Sequence, residues 1–278
     1  MQTFFTFLGS LALAVGALGC LSYIRAENPQ EVPAGVQTEL TVELSGNQSV
    51  ADYSKEGVAA LGRFVPADTS VKEPLSFLIF IPKCDSAKTE AGFPLLLFLH
   101  GAGERGDNIE AVKVHGPPML VETEAKEVWP FLTVSPQCPE GKYWSPKQLL
   151  ELLDYLEANY PIDPDRVYVT GLSMGGFGTW MLLALAPDRF AAAAPICGGG
   201  DPGQADKMLD VPIWVYHGGS DSVVPVELSE AMVKAIWEKG GTKIKLTEYP
   251  GVDHNSWTQT YANPEFYKWL LKQKRGAE

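Results

Sequence analysis

The chain has 278 residues, 45% of them hydrophobic, 20% charged and 10% aromatic. That apolar content excludes a disordered chain, and at this length roughly three quarters of the unfolded surface can be buried without metal or disulfide staples. Lys and Arg number 22 against 34 Asp and Glu, a formal charge of -12. The balance repels phosphate backbones and anionic lipid, so it argues against nucleic acid as a partner and for neutral or weakly charged substrates.

Residues 1–26 read as an address. Phe4 to Gly19 is an apolar run rich in Ala, Gly and Leu, and Arg25 is the only charged side chain of the segment. This is the shape of a secretory signal peptide cleaved after Ala26, although no Lys or Arg precedes its apolar core. Ala17-Leu18-Gly19-Cys20 also resembles a bacterial lipoprotein box, which would put a lipid on Cys20. An uncleaved anchor is the third reading, because the run is long enough to span. Each predicts an exported protein, periplasmic or secreted, that meets a membrane only through this segment. Cleavage removes Cys20 and leaves Cys84, Cys138 and Cys197. Three thiols allow one disulfide at most, and the absence of a CxxC pair argues against zinc. At least one is expected as a buried free thiol.

Residues 27–70 are polar and punctuated by Pro and Gly; the alternation in Leu40-Thr41-Val42-Glu43-Leu44 predicts an N-terminal extension with an edge hairpin or extended lead-in. From residue 71 to 274 short apolar runs alternate with helical stretches. The runs are Leu75–Ile81, Leu95–Leu99, Phe131–Val134, Val167–Thr170, Ala191–Ile196, Ile213–Tyr216 and Ile244–Tyr249, most of them unbroken enough for strands buried on both faces. Helices are predicted at Gln148–Leu156, with Pro146 near the start, at Gly178–Ala186, at Val226–Lys239 and at Pro264–Lys274. The alternation predicts one α/β domain on a mostly parallel central sheet flanked by helices. Only the stretch from Cys197 to Leu209 reads as a modest insertion, so no large lid is expected.

Arg166 to Thr170 is a strand, Gly171-Leu172-Ser173-Met174-Gly175-Gly176 follows it, and a helix comes next. This is Gly-x-Ser-x-Gly in the strand–turn–helix context that the chemistry requires. A nucleophilic hydroxyl must project from a strained turn, and glycine two positions to either side relieves the crowding. The helix then aims its amide dipoles at the developing anion. An N-capping serine on a glycine-rich helix is the bland alternative. A hydroxyl nucleophile needs a base and an acid, in this fold ordered Ser, Asp or Glu, His. Of the four histidines, His100 and His115 precede Ser173. Asp221 follows the strand Ile213–Tyr216, and His217 comes before it, so His254 is the base consistent with the order. Asp253 and Asp201 are rival acids; His217 is expected to pack near its strand end, and His115 to lie on the surface.

After Leu99 comes His100-Gly101-Ala102-Gly103-Glu104-Arg105-Gly106. As Gly-x-Gly-x-x-Gly it has the form of a dinucleotide fingerprint. No apolar-periodic helix follows, however, and no acidic residue ends the next strand. The better reading is an oxyanion hole in which the amides of Ala102 and Met174 face a carbonyl oxygen. Glu104 and Arg105 are expected to pair with each other or to brace this loop.

Together, HGAGERG at His100–Gly106, the Ser173 turn, Asp221 ahead of Val223-Val224-Pro225, and His254 resemble the α/β-hydrolase superfamily. With Ser135-Pro136-Gln137-Cys138-Pro139 and Pro195-Ile196-Cys197-Gly198-Gly199-Gly200, the resemblance narrows to exported bacterial carboxylesterases of the phospholipase/carboxylesterase or polyhydroxybutyrate-depolymerase-like kind, with feruloyl and acetylxylan esterases as relatives. It covers residues 72–272. It implies an α/β-hydrolase fold and a serine esterase with Ser173 as nucleophile, Asp221 as acid, His254 as base, and Ala102 and Met174 as oxyanion donors. Acyl transfer of this kind needs no cofactor and no metal. The expected substrate is a small ester or a polysaccharide-linked ester. Trp144 and Trp257, on loops near strand ends, are candidates to stack on sugar or aromatic rings, or else to pack beneath those loops. Trp180 is expected in the core. Two other functions remain: a serine peptidase of prolyl-oligopeptidase type, whose usual extra domain is hard to fit in 278 residues, and a non-catalytic binding protein on the same scaffold.

Overall fold

In the computed structural model, residues 32–45, 72–83 and 89–277 are described. The expected leader 1–26 with Cys20, most of the extension 27–70, and Cys84 lie outside the described residues. The strands are β1 (Gln37–Ser45), β2 (Lys72–Phe80), β3 (Phe93–Leu99), β4 (Leu132–Pro136), β5 (Ile162–Leu172), β6 (Ala192–Ile196), β7 (Ile213–Gly218) and β8 (Ile244–Tyr249). They form one sheet in the order β1-β2-β4-β3-β5-β6-β7-β8. From β4 through β8 all neighbours are parallel, and β2 runs antiparallel to both β1 and β4. The unbroken apolar runs end up central: every residue of β3, β4 and β6 is buried. At the β8 edge only Ile244 is buried.

The helices are α1 (Gly116–Leu120), α2 (Pro146–Asn159), α3 (Met174–Leu185), α4 (Glu227–Glu238), α5 (Trp257–Ala262) and α6 (Pro264–Lys272). Ser145 and Asn263 cap α2 and α6 by accepting from Gln148 N–H and Glu265 N–H, each with Pro in the first turn, where a missing N–H costs nothing. Leu149, Leu152, Leu153 and Leu156 of α2, Trp180 and Leu183 of α3, and Met232 and Ile236 of α4 pack on one face of the sheet. Tyr261 of α5 and Phe266 and Leu270 of α6 meet Phe98, Phe131 and Tyr168 on the other. The result is a sheet between two helical layers, the α/β architecture expected.

The departures have local causes. β5 begins at Ile162 rather than Val167, and an irregularity in its pairing with β3 between Phe93 and Leu95 absorbs the extra residues. α3 begins at Met174 rather than Gly178: three glycines in its first two turns are poor helix formers, and tertiary packing overrides them. α1, only five residues long, and α5 were not foreseen. The long link between β3 and β4 consists of 3-10 turns and α1, whereas the stretch after β6 holds one 3-10 turn, Pro202–Met208.

A methyl group at Gly175 would collide with the Leu99 carbonyl oxygen and lie 2.8 Å from that of His100. Backbone cannot yield as a side-chain tip does, so Gly175→Ala is expected to cost about 3 kcal/mol or more. Thermal melts of the variant against the parent chain check this; an unchanged midpoint would refute the close approach.

Candidate active site

β5 ends at Leu172 and α3 starts at Met174, leaving Ser173 alone between them at φ 52° and ψ -116°. This conformation is sparsely allowed for a residue with a Cβ, and it persists only where the surroundings over-determine it. Ser173 N–H donates to the Ile196 carbonyl at 2.9 Å, and Phe177 N–H to the Ser173 carbonyl at 3.1 Å. A side chain on Gly171 would strike the Gly175 carbonyl, so the turn tightens only with glycine at both positions. The hydroxyl is thereby turned away from strand and helix.

His254 and Asp221 converge on that hydroxyl from the ends of two other strands. His254 Nε2 lies 2.9 Å from Ser173 Oγ, and Nδ1 lies 2.8 Å from Asp221 Oδ2. A carboxylate only accepts, so the hydrogen-bond network assigns the proton to Nδ1 and leaves Nε2 to accept from the serine. The other carboxylate oxygen of Asp221 accepts from the N–H groups of Val223 and Val224 at 2.9 and 2.8 Å. The side chain of Asp221 is fully buried, whereas that of His254 is 18% exposed, so the carboxylate is dry and the imidazole reaches the surface. The rivals are occupied elsewhere. Asp253 accepts from Ser222 N–H, Ser222 Oγ and its neighbour's N–H; Asp201 caps its own turn through Gly203 N–H.

Ala102 opens a 3-10 turn, Ala102–Glu104, and Met174 opens α3. The N–H of a first helical residue has no acceptor within its helix and is free to face a ligand. Gly101 lies against Leu172, since a methyl on it would come 2.8 Å from the Leu172 side chain; the loop therefore borders the serine turn. Buried His100 braces it. Its Nε2 accepts from Cys138 N–H at 2.9 Å, its Nδ1–H donates to the Gly101 carbonyl at 2.6 Å, and the Trp144 indole N–H donates to the His100 carbonyl at 3.1 Å. Gln137 donates to the carbonyls of Glu104 and Asn108. Arg105 donates to the Ala102 and Lys142 carbonyls, while Glu104 lies 3.8 Å from His115. Glu104 and Arg105 thus brace the loop and do not pair with each other.

The two tryptophans part ways. Trp144 is 3% exposed, with its ring edge-on to His100 and its N–H committed; this corrects its expected place as a substrate contact, because the indole is enclosed beneath the loop. Trp257 is partly exposed, with its ring centre 5.3 Å from that of His254 in an edge arrangement and 5.5 Å from that of His115. His115, a third exposed and between two short helical elements, is the surface or loop residue expected, and its ring packs by Trp257. Cys138 and Cys197 are both free and buried. Cys197 has φ 39° and lies with Asp221 and His254 in a group whose ligand atoms are within 4.8 Å of one another. That set does not suit a metal: burial pushes the Cys197 thiol up to about 12, keeping it protonated, and Asp221 and His254 already hold each other. Two features escaped the sequence reading, the positive φ of Cys197 and the contact of His217 with Asp221, since neither backbone conformation nor a side-chain contact is written in a motif.

Comparison with known proteins gives a coherent picture. Residues 145–265 match the Dienelactone hydrolase family. A poly(3-hydroxyalkanoate) depolymerase C of Paucimonas lemoignei is 53% identical over 60 residues, 22% of this chain and 14% of that protein. A bifunctional acetylxylan esterase/xylanase of Neocallimastix patriciarum is 30% identical over 148 residues, 51% of this chain and 21% of that protein. The match thus spans less than a quarter of either relative. Among solved structures, the crystal structure of a thermostable esterase superposes with a TM-score of 0.67 at 38% identity, covering 75% of this chain and 61% of that one.

Burial lowers the pKa of His100 to about 4, below the 6.5 of an unfolded histidine. A depressed histidine keeps its stabilising neutral form above the unfolded value, and that stability drains away as pH falls from about 6.5 towards 4, with about 3 kcal/mol at stake. Melting temperatures recorded between pH 7 and pH 4 should fall less steeply for His100→Asn than for the parent chain, which starts higher. Parallel slopes would contradict a neutral His100.

Proposed function

We propose that this chain, an α/β-hydrolase by fold and by its matched segment, is a serine carboxylesterase working through an acyl-enzyme. His254 Nε2 takes the proton of Ser173 as Oγ attacks the ester carbonyl carbon. The carbonyl oxygen becomes an oxyanion facing the N–H groups of Ala102 and Met174. Asp221 fixes the imidazole tautomer and stabilises the imidazolium. Collapse breaks the bond to the alcohol, which leaves with the proton from His254. Water then repeats the sequence on the acyl-enzyme, releasing the acid and restoring Ser173. The observation that carries this reading is the continuous path from Asp221 Oδ2 through His254 to Ser173 Oγ, with links of 2.8 and 2.9 Å, at a serine strained to φ 52°.

The acetylxylan esterase/xylanase and the depolymerase among the relatives favour an ester carried on a polymer, and the partly exposed Trp257 beside His254 puts an aromatic ring where a sugar or aromatic group would arrive. The apolar N-terminal run, read as an export signal, suits a substrate outside the cell. Among the described residues no helix is long and apolar enough to cross a membrane.

Hydrolysis of p-nitrophenyl acetate should fall about 10³-fold or more in Ser173→Ala and in His254→Ala with folding intact, and a fluorophosphonate probe should label Ser173 alone. A panel of acetyl-sugar, feruloyl and aliphatic esters would then rank the substrates. Full activity in Ser173→Ala would refute the mechanism, and turnover of peptide anilides without ester cleavage would make the chain a peptidase instead.

A further inference from the structure

His217 is fully buried, follows Tyr216 near the end of β7, and takes no part in the proton path above, yet it touches the acid. Its Nε2 lies 2.8 Å from the Val224 carbonyl and 3.3 Å from Asp221 Oδ2, and its Nδ1 lies 2.7 Å from Ser229 Oγ on α4. The Val224 carbonyl and the Asp221 carboxylate only accept, so Nε2 carries a proton. Burial favours the neutral ring, which leaves Nδ1 to accept from the Ser229 hydroxyl. That hydroxyl has a single proton, so while it donates to Nδ1 its 3.0 Å approach to the Gly198 carbonyl, on the loop after β6, is a contact and not a second donated bond. One imidazole therefore ties α4 to the loop after β7. It also brings a further donor to the carboxylate oxygen that holds His254.

We propose that His217 is a positioning residue for the reaction: its Nε2–H, shared between the Val224 carbonyl and Asp221, holds the acid loop in place and limits how strongly Asp221 binds the imidazole of His254. The inference rests on the serine-esterase reading. Each donor on a carboxylate spreads its charge and lowers its basicity. Asp221 already has the N–H groups of Val223 and Val224 and the Nδ1–H of His254. Without His217 its charge falls more fully on His254, whose protonated form gains, so the base stays protonated to higher pH. The ionisable groups acting on His217 are Asp221 and His254. The buried thiol of Cys197, after β6, groups with Asp221 and His254, and α4 contributes the Ser229 hydroxyl. Glu248, opposite His217 on β8, has its carboxylate at Gly219 instead.

The test compares His217→Phe, which removes every polar contact of the ring, with His217→Gln, whose amide can donate towards Asp221 and accept from Ser229. On p-nitrophenyl acetate, kcat in the Phe variant should fall about 10-fold or more with KM nearly unchanged. The acid limb of its kcat/KM profile should move up by about half a pH unit or more, and the Gln variant should recover both. A merely structural role would lower the active fraction and leave the limb where it was; a folded Phe variant with the wild-type limb overturns the inference. If the Phe variant does not fold, His217→Leu, which removes the same Nε2–H donor with a smaller side chain, should shift the limb in the same direction, and an unmoved limb there is equally fatal. Fluorophosphonate labelling of Ser173 in the parent chain separates the two claims. If Ser173 does not label, the esterase reading fails with this one; if it labels and the limb stays put, only the role of His217 falls.

Discussion

The whole arrangement depends on one close approach of backbone to backbone. The carbonyls of Leu99 and His100, at the end of β3, lie where the side chain of residue 175 would be. This contact pins the start of α3 against the central strand and forces Ser173 into its positive-φ turn. The turn in turn sets where the hydroxyl can point. The same strand end leads into the 100–106 loop, so the serine and its candidate oxyanion donors share one anchor. Registration between them comes from packing of main chain on main chain, which has little freedom to drift.

The histidines are divided by burial into different kinds of work. His100 and His217 are enclosed, held below the usual histidine range by desolvation, and each spends both ring nitrogens on neighbouring segments, His100 on two loops and His217 on the loop after β7 and on α4. They act as neutral cross-links between segments that the sheet alone would not tie together. His254 is partly exposed, and one of its nitrogens faces only the serine hydroxyl. In the proposed reaction a proton must arrive and leave at that nitrogen, which a fully buried imidazole could not accommodate without charging a dry site.

Much of this was legible from residue order. The apolar runs marked seven of the eight strands of the sheet, the central ones because strands buried on both faces leave an unbroken signature. β1 lay within a stretch whose alternation was visible but whose pairing was not. Ser173, Asp221 and His254 could be drawn together because chain order and strand ends restrict where a base and an acid can stand. Helix starts were read less well: glycines at the head of α3 and prolines at the head of α1 look like breakers until tertiary contacts are known. Trp144 shows the limit of loop position as a guide. A residue near a strand end can face the cleft or lie beneath it, and only the acceptor offered by the His100 carbonyl decides.

Backbone strain is confined in an instructive way. Among the described residues, the two non-glycine positions with positive φ are Ser173 and Cys197, and they follow neighbouring strands, β5 and β6. Each is held by the next strand along: Ser173 N–H donates to the Ile196 carbonyl, and Cys197 N–H to the Tyr216 carbonyl. Strain at one strand end is thus supported by a hydrogen bond to the following strand end, and the series finishes at β7, whose loop carries Asp221. A relaxed chain at either residue would pull the serine from its strand or the β6 loop from Ser229. The glycines around Cys197 fit the same account, since Gly198 packs directly on Gly176 in the first turn of α3. Two costly conformations, each of order 1–3 kcal/mol, are therefore tolerated because they hold three adjacent strand ends in one fixed relation around the hydroxyl.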